Sequence, residues 1–271
     1  MKSDNSQIII YHNQGEIVGL KHPHLHTYLE ILYNIKGCKS FFADGKYYRC
    51  EGNDLFIIPP TTVHKAVFPS KDYDRCIIDI SPEIINALFA FPFVTKDDLS
   101  IFLHPQEDIL CAVRLDEDDH NRFMRIIDKC NDWRGIDGLG MFMELLCHIK
   151  NCFEKAPKSI LTPCPDNLAD KVILYIENNL SEDMTVAKIS EDLYISESSL
   201  CREFKKITGL TVKKYITARK IAETCRLLYM GYSAKEAAAN LNFKDYTSFI
   251  RTFKNETNTT PKAFKELNLR L

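Results

Sequence analysis

The spacing of apolar positions changes character along the chain. Over residues 7 to 80 apolar side chains alternate with polar ones in short runs: Gln7–Tyr11, Glu16–Leu20, Glu30–Lys36, Lys39–Ala43, Lys46–Cys50, Leu55–Ile58, Lys65–Phe68 and Arg75–Ile80. A period of two predicts strands with one buried face. Asp44-Gly45 is a tight-hairpin signal between two runs, and Gly52-Asn53-Asp54 and Pro59-Pro60 mark further turns. Many short strands with regular punctuation imply a sandwich or barrel. Ser81-Pro82-Glu83 opens a short helix, with Ser81 as N-cap and Pro82 at the first helical position. Phe91 to Pro105 reads as a loop.

The period then lengthens to that of a helix. Asp116 to Trp133 carries Phe123, Ile126, Ile127 and Cys130 on one side, with Leu115 just ahead of it. Ile136 to Phe153 is apolar nearly all round, which predicts a helix buried in its own core or shared with a second chain. The second option makes it a dimerisation segment, carried by Met141, Phe142, Leu145, Leu146 and Ile149. Three prolines, Pro157, Pro163 and Pro165, mark an inter-domain linker. The expected division is therefore 1–155, a linker at 156–165, and a second domain over 166–271 that opens with a helix from Asp166 to Leu180.

Within the second domain one pattern occurs twice. A short helix of small residues (Thr185–Leu193, then Ser233–Leu241) is followed by a turn (Tyr194–Ser196, then Asn242–Lys244). A second helix follows, Glu197–Ile207 in the first copy and Asp245–Thr257 in the second. Ser190 in one copy and Ala237, Ala238 and Ala239 in the other supply small side chains for a close helix crossing. Leu200, Phe204 and Ile207, and then Phe249 and Phe253 with Phe243 in the turn, form the inward stripes. These are two helix-turn-helix units, the arrangement that sets a recognition helix in a major groove. The outward residues are Ser198, Ser199, Arg202, Lys205 and Lys206 in the first copy. In the second they are Thr247, Ser248, Arg251 and Lys254. Arginine suits guanine edges, and hydroxyls and lysines suit phosphates. Between the copies, Thr211 to Tyr229 reads as one helix, with Ala218, Ile221, Ala222, Cys225, Leu228 and Tyr229 inward. Its length of roughly 27 Å can hold two recognition helices about one DNA turn apart, roughly 34 Å.

Charge sharpens this picture. The formal net charge of −2 hides an asymmetry. From Cys201 to Lys265 there are 14 Lys and Arg against 5 Asp and Glu, whereas residues 1–165 hold 18 against 23. A basic segment joined to an acidic one points to a polyanionic partner. No apolar run is long enough to span a bilayer, and the first residues lack the pattern of a signal peptide. The 10 Cys have no zinc-like spacing. Together these features predict a cytoplasmic chain with reduced thiols.

The last hundred residues resemble the DNA-binding domain of the AraC/XylS family. Ser196, Leu200, Arg202, Phe204, Lys205, Lys206, Gly209, Arg219, Ala222, Leu227, Leu228, Ala238, Phe243, Phe249, Arg251, Phe253, Lys254, Thr260 and Pro261 carry the likeness. Asn242 and Asn258 stand where the family has glycine, and asparagine is the residue that best replaces glycine at positive φ. The resemblance implies base contacts from Ser198, Cys201 and Arg202 and from Tyr246, Thr247, Ile250 and Arg251. As partners it implies double-stranded DNA, a small-molecule effector and a second copy of the chain, with RNA polymerase as a further one.

In the first domain, His24-x-His26, Glu30 and Gly37 match the first cupin motif. Gly52 to His64 resembles the second, with Asn53 inserted and Thr61 in place of a glycine. His22 lies just ahead of the group. This resemblance implies a small cupin-like β-barrel whose mouth, lined by His24, His26, Glu30 and His64, binds a sugar or related metabolite. Phe41, Tyr48 and Phe56 could face the ring of such a ligand. In cupin enzymes the matched positions hold a divalent metal, whereas AraC-type sensor domains often carry them without one. The reading taken is an α+β chain with no catalytic residue, cofactor or metal. It is a cupin-like barrel with a helical dimerisation segment, followed by an all-α double helix-turn-helix domain. A metal-dependent cupin enzyme with a DNA-binding appendage, and a regulator without effector, are the alternatives.

Overall fold

A computed structural model describes residues 8–15, 24–43, 46–68, 72–92, 94–103, 111–129, 135–156 and 168–268. The expected strand Glu16–Leu20, His22, the Asp44-Gly45 turn and the proline-containing linker lie outside these residues.

Among the described residues, eight strands form two antiparallel sheets. The larger sheet is built from β1 (Ile8–Gln14), β2 (Leu29–Lys36), β5 (Asp54–Ile58), β7 (Asp74–Ile80) and β8 (Cys111–Arg114), in the order β1-β7-β2-β5-β8. The smaller is β4 (Lys46–Arg49), β3 (Ser40–Ala43) and β6 (His64–Val67). The sheets face one another across an apolar layer of Leu32, Cys38, Phe41, Ala43, Tyr48, Cys50, Phe56 and Ile58. Among the described residues they remain two separately bonded sheets, not one closed barrel.

Alternation along β2 explains the layering. Leu29, Ile31 and Tyr33 point to the outer face, while Leu32 faces the smaller sheet, on the side shared by Glu30 and Asn34. The outer face is covered by helices α1 (Pro82–Phe89), α2 (Lys96–Leu103), α3 (Glu117–Lys129) and α4 (Gly135–Lys155). Ser81 caps α1 by accepting from the amide of Ile84, with Pro82 in the first turn as expected. Two elements depart from expectation: α2 lies in the stretch read as a loop, and β8 closes one edge of the larger sheet. Helix α4 also differs in role. Phe142, Leu145, Leu146 and Ile149 are buried against the chain's own sheet. The apolar ring predicted to bind a second copy therefore belongs to the core, and Ile136 and Leu139 are the large apolar residues that α4 leaves exposed.

The second domain is entirely helical among the described residues: α5 (Leu168–Asn178), α6 (Val186–Asp192), α7 (Glu197–Thr208), α8 (Val212–Tyr229), α9 (Ala234–Asn240), α10 (Tyr246–Thr257) and α11 (Pro261–Asn268). Leu200, Phe204, Ile221, Cys225, Ala238, Phe249 and Phe253 are buried in one core that joins the two halves.

Candidate nucleic-acid interface and ligand cluster

The duplication seen in the sequence is repeated in the cap chemistry. Helices α6 and α9 are capped by Thr185 and Ser233, whose hydroxyls accept from the amides of Lys188 and Glu236. Recognition helices α7 and α10 are capped by Ser196 and Asp245, which accept from the amides of Ser199 and Ser248. Both end in the left-handed region, at Gly209 (φ 79°) and Asn258 (φ 57°). Just before these residues, Thr208 and Thr257 each donate a hydroxyl 2.8 Å to the carbonyl four residues back, on Phe204 and Phe253. Asn242, in the second turn, has φ 52°, so both asparagines occupy the positive-φ positions expected of them. Tyr194 takes the corresponding place in the first turn at φ 57° and is 96 % exposed.

These caps fix which faces the helices present. On α7, Ser198, Cys201, Arg202, Lys205 and Lys206 are exposed and Ser199 is half-buried. On α10, Tyr246, Thr247, Arg251 and Lys254 are exposed. Ser248 and Ile250 are half-buried, and Ile250 packs against the domain core, so its reach to a base edge is reduced. Ser190, Ala237 and Ala238 are buried at the crossings, whereas Ala239 is exposed.

Helix α8 holds the two units together. Arg219 donates 2.7 and 2.9 Å bonds to the two carboxylate oxygens of Glu177 on α5. The Lys220 ammonium donates to the carbonyl of Leu241 at 2.8 Å and that of Glu182 at 3.2 Å, tying the second unit to the approach of the first. Tyr229, read as inward, is 44 % exposed, and Leu227 is buried with Ala237 and Leu241 instead. Several acids ahead of α7 have internal partners: Glu177 with Arg219, Glu182 with Lys188, Asp183 with Lys244 and Asp192 with Tyr175.

In the first domain, His24, His26, Glu30 and His64 converge, with their ligand atoms within 4.8 Å of one another. His24 and His64 belong to segments joined by a backbone bridge: His24 N–H donates to His64 O at 3.1 Å and His64 N–H to His24 O at 3.0 Å. Ring nitrogen Nδ1 of His26 lies 2.9 Å from the Tyr28 carbonyl, and that of His64 lies 3.0 Å from the Thr62 carbonyl. A carbonyl only accepts, so both Nδ1 atoms donate and each Nε2 is left as the ring's other face. Those Nε2 atoms lie 3.0 and 3.7 Å from the Glu30 carboxylate.

Burial lowers the pKa of His26 against the opposing pull of Glu30. Burial alone would raise the Glu30 carboxyl, but hydrogen bonds with His26 and His64 hold it well below the usual range. In the singly protonated rings the Nε2 lone pairs face the carboxylate, an arrangement completed by a cation or by a donor group of a polar ligand, whereas in the doubly protonated ring of His26 the Nε2–H donates to Glu30. Anchored Nδ1–H groups are also the outer-shell pattern of metal-ligating histidines, and this donor set fits a divalent transition metal. Phe41, Tyr48 and Phe56 are buried between the sheets, and Phe41 stacks on Phe56 at 4.5 Å. Phe41 also stacks on the His64 ring at 6.0 Å, and all three belong to the apolar layer between the sheets.

Asp79 is a member of this neighbourhood that sequence reasoning missed. It sits directly across from Glu30 in the β2–β7 register. Burial, reinforced by the charge of Glu30, pushes its carboxyl up to about 7. A raised folded-state pKa means the native chain holds the proton longer, so stability falls as pH rises from about 4 to about 7. Asp79→Asn is expected to remove that slope and to stabilise the domain at pH 8 by about 1–2 kcal/mol, after allowance for partial solvent screening. Urea melts at pH 5 and pH 8 check this, and an unchanged slope contradicts it.

Two family models match separate stretches of the chain. Residues 11–104 match the model of an AraC-like ligand binding domain, and residues 189–266 match that of a helix-turn-helix domain. An uncharacterized HTH-type transcriptional regulator of Staphylococcus aureus is 22% identical over 243 residues, which covers 88% of this chain and 31% of that protein. The chain thus spans about a third of the length of that relative. Another, from Pseudoalteromonas carrageenovora, is 32% identical over 98 residues, 36% of this chain and 58% of that protein. Among solved structures, ToxT from Vibrio cholerae aligns over 96% of this chain and 97% of its own, with 14% identity and a TM-score of 0.41.

Proposed function

The chain belongs to the AraC/XylS family of transcription regulators, and we propose that its second domain reads two adjacent major-groove segments of double-stranded DNA under control of a small molecule bound by the first. The observation that carries this reading is the duplicated recognition helix, in each copy capped by a side-chain oxygen and ended by a residue in the left-handed region. Two such helices on one rigid domain present two arginine-bearing faces, built around Arg202 and Arg251. Lys205, Lys206 and Lys254 flank them as phosphate contacts, and Ser198, Ser199, Cys201, Tyr246, Thr247, Ser248 and Ile250 complete the two surfaces. Selection from a random-sequence DNA pool tests it. The full chain should enrich one bipartite motif and bind it at least about a thousandfold more tightly than unrelated DNA. Equal affinity for all sequences would overturn the reading.

The effector site in this proposal is His24, His26, Glu30 and His64, and the effector a small polar molecule such as a sugar. Imidazole nitrogens and a carboxylate, mostly buried, favour a ligand rich in hydrogen-bonding groups. A thermal-shift panel of sugars and metabolites, repeated with His26→Ala and Glu30→Ala, tests the assignment, and a ligand whose affinity neither substitution changes would place the site elsewhere. Convergence of the Nε2 atoms on Glu30 also favours a second reading, a metal-dependent cupin activity joined to the DNA-binding domain. Metal analysis of protein purified without added metal separates the two, because only that activity requires a stoichiometric transition metal.

The chain is further proposed to act as a homodimer, with RNA polymerase as a partner on DNA. The exposed Ile136 and Leu139 of α4, not the buried Leu145, are the side chains fit to contact a second copy. Sedimentation of an Ile136→Glu, Leu139→Glu double variant is expected to show half the mass of the parent chain. A folded variant of unchanged mass would contradict this contact. Among the described residues no helix is long and apolar enough to cross a membrane.

A further inference from the structure

The histidine cluster and the DNA-binding domain lie on opposite sides of the same short segments. His24 and His26 turn toward Glu30, while Leu25 between them turns the other way. His64 turns toward Glu30, while Val63 before it turns away. On β3, Phe41 and Ala43 face the inter-sheet layer and Phe42 faces out, as strand alternation requires. All three outward residues are buried: Leu25 is 8% exposed, and Phe42 and Val63 are 0%. What buries them is the second domain. They share one apolar cluster with Val172, Phe204, Val212, Tyr215 and Ile221, and the Phe42 ring meets that of Tyr215 edge-on at 6.1 Å. A second contact, between α1 and α11, joins the domains elsewhere.

We infer that the bridged segments around His24 and His64 form a two-sided relay. The inner side grips the ligand, and the outer side, Leu25, Phe42 and Val63, is the seat of the chain's own DNA-binding domain on the N-terminal half of α8. The inference rests on the reading of the histidine cluster as the ligand site. The backbone argument is direct. In these extended segments neighbouring side chains point to opposite faces, so a shift that draws the His24 and His64 rings toward a ligand displaces Leu25 and Val63 with them. Thr61 adds a further tie, donating its amide to the His26 carbonyl at 2.7 Å, so the two ligand-bearing segments move together. Well-packed apolar contacts have discrete arrangements, and a small shift at the cluster is therefore felt as a change in docking. A ligand alters the equilibrium between docked and undocked domains only by binding one of them better, and these contacts supply that difference.

Co2+ is a suitable probe, since it occupies imidazole and carboxylate sites and reports its own binding by visible absorption. Amide hydrogen exchange over residues 212–221 reads the docking contact in the full-length chain. Saturating Co2+ is expected to change exchange there by about tenfold, as a local opening becomes easier or harder. In Leu25→Ser and in Phe42→Ser, chosen as independent breaks of the outer side, the Co2+ absorption should persist and the change in exchange should vanish. Saturated absorption with unchanged exchange in the parent chain would overturn the relay and leave the ligand site standing. A full response in both variants would also overturn it. Absence of any Co2+ absorption would overturn it at an earlier step, because the inner side would then not grip the probe whose binding the relay is inferred to transmit. None of these outcomes bears on whether the second domain binds DNA.

Discussion

Replacing Arg202 and Arg251 together by alanine should lower affinity for the selected DNA by roughly 30-fold to 25,000-fold. Each arginine that pairs with a base edge is worth about 1–3 kcal/mol. The two lie on different recognition helices without shared partners, so their losses should add. Neither supports the fold: both are exposed, and the ion pair of Arg202 with its neighbour Glu203, at 3.1 Å, is a surface contact. Each single variant should relax sequence preference in its own half of the motif and leave the other half unchanged. Lys205→Ala and Lys206→Ala should behave differently, weakening binding to all sequences alike and flattening the salt dependence. Fluorescence titrations at several salt concentrations check both. An Arg202, Arg251 double variant that binds like the parent chain would remove the arginine-reading role from these helices.

Gly37→Ala should destabilise the first domain by about 3–5 kcal/mol, the sum of a left-handed backbone penalty and a steric one. Gly37 has φ +92°, and a Cβ placed there would lie 2.5 Å from the Asp72 carbonyl oxygen and 2.7 Å from Tyr73 Cα. Those neighbours are backbone and side chain at the edge of β7, so the strand itself would have to move. With typical domain stabilities of about 5–15 kcal/mol, such a loss leaves the domain marginal or unfolded at 37 °C. Chemical denaturation followed by circular dichroism measures it. The second domain should retain its helical signal, because its core forms around α8. A variant as stable as the parent would mean that this turn tolerates a side chain the geometry excludes.

What could be read from the sequence was the part governed by local chemistry. Both recognition helices appear within a residue of their expected limits, because Ser196 and Asp245 cap them and Gly209 and Asn258 stop them. The cupin-like spacing placed His24, His26, Glu30 and His64 together because a strand pairing and a turn bring them there, and the structure does so. Features set by distant partners were not legible. Helix α4 is apolar on most sides, and nothing local distinguishes a face meant for its own sheet from one meant for another chain. Strand β8 has only Cys111–Arg114 and gains its place from pairing with β5, which no neighbouring residue announces. Asp79 lies in the run Arg75–Ile80, whose alternation does point it inward, but its importance depends on Glu30 across the strand. Leu25, Phe42 and Val63 read as ordinary strand apolar positions, and only the tertiary fold shows that they meet the second domain.

Hydroxyl-radical footprinting of the full-length chain on its selected DNA tests the central claim most directly. With the two recognition helices tied together through α8, where Lys220 donates to the carbonyls of Glu182 and Leu241, the proposed mode of binding engages the duplex from one side. The account predicts two protected windows on the same face, separated by about one helical turn, roughly 10 base pairs. It further predicts that Arg202→Ala empties one window and Arg251→Ala the other. A single protected window, or two substitutions that erase the same base pairs, would contradict it.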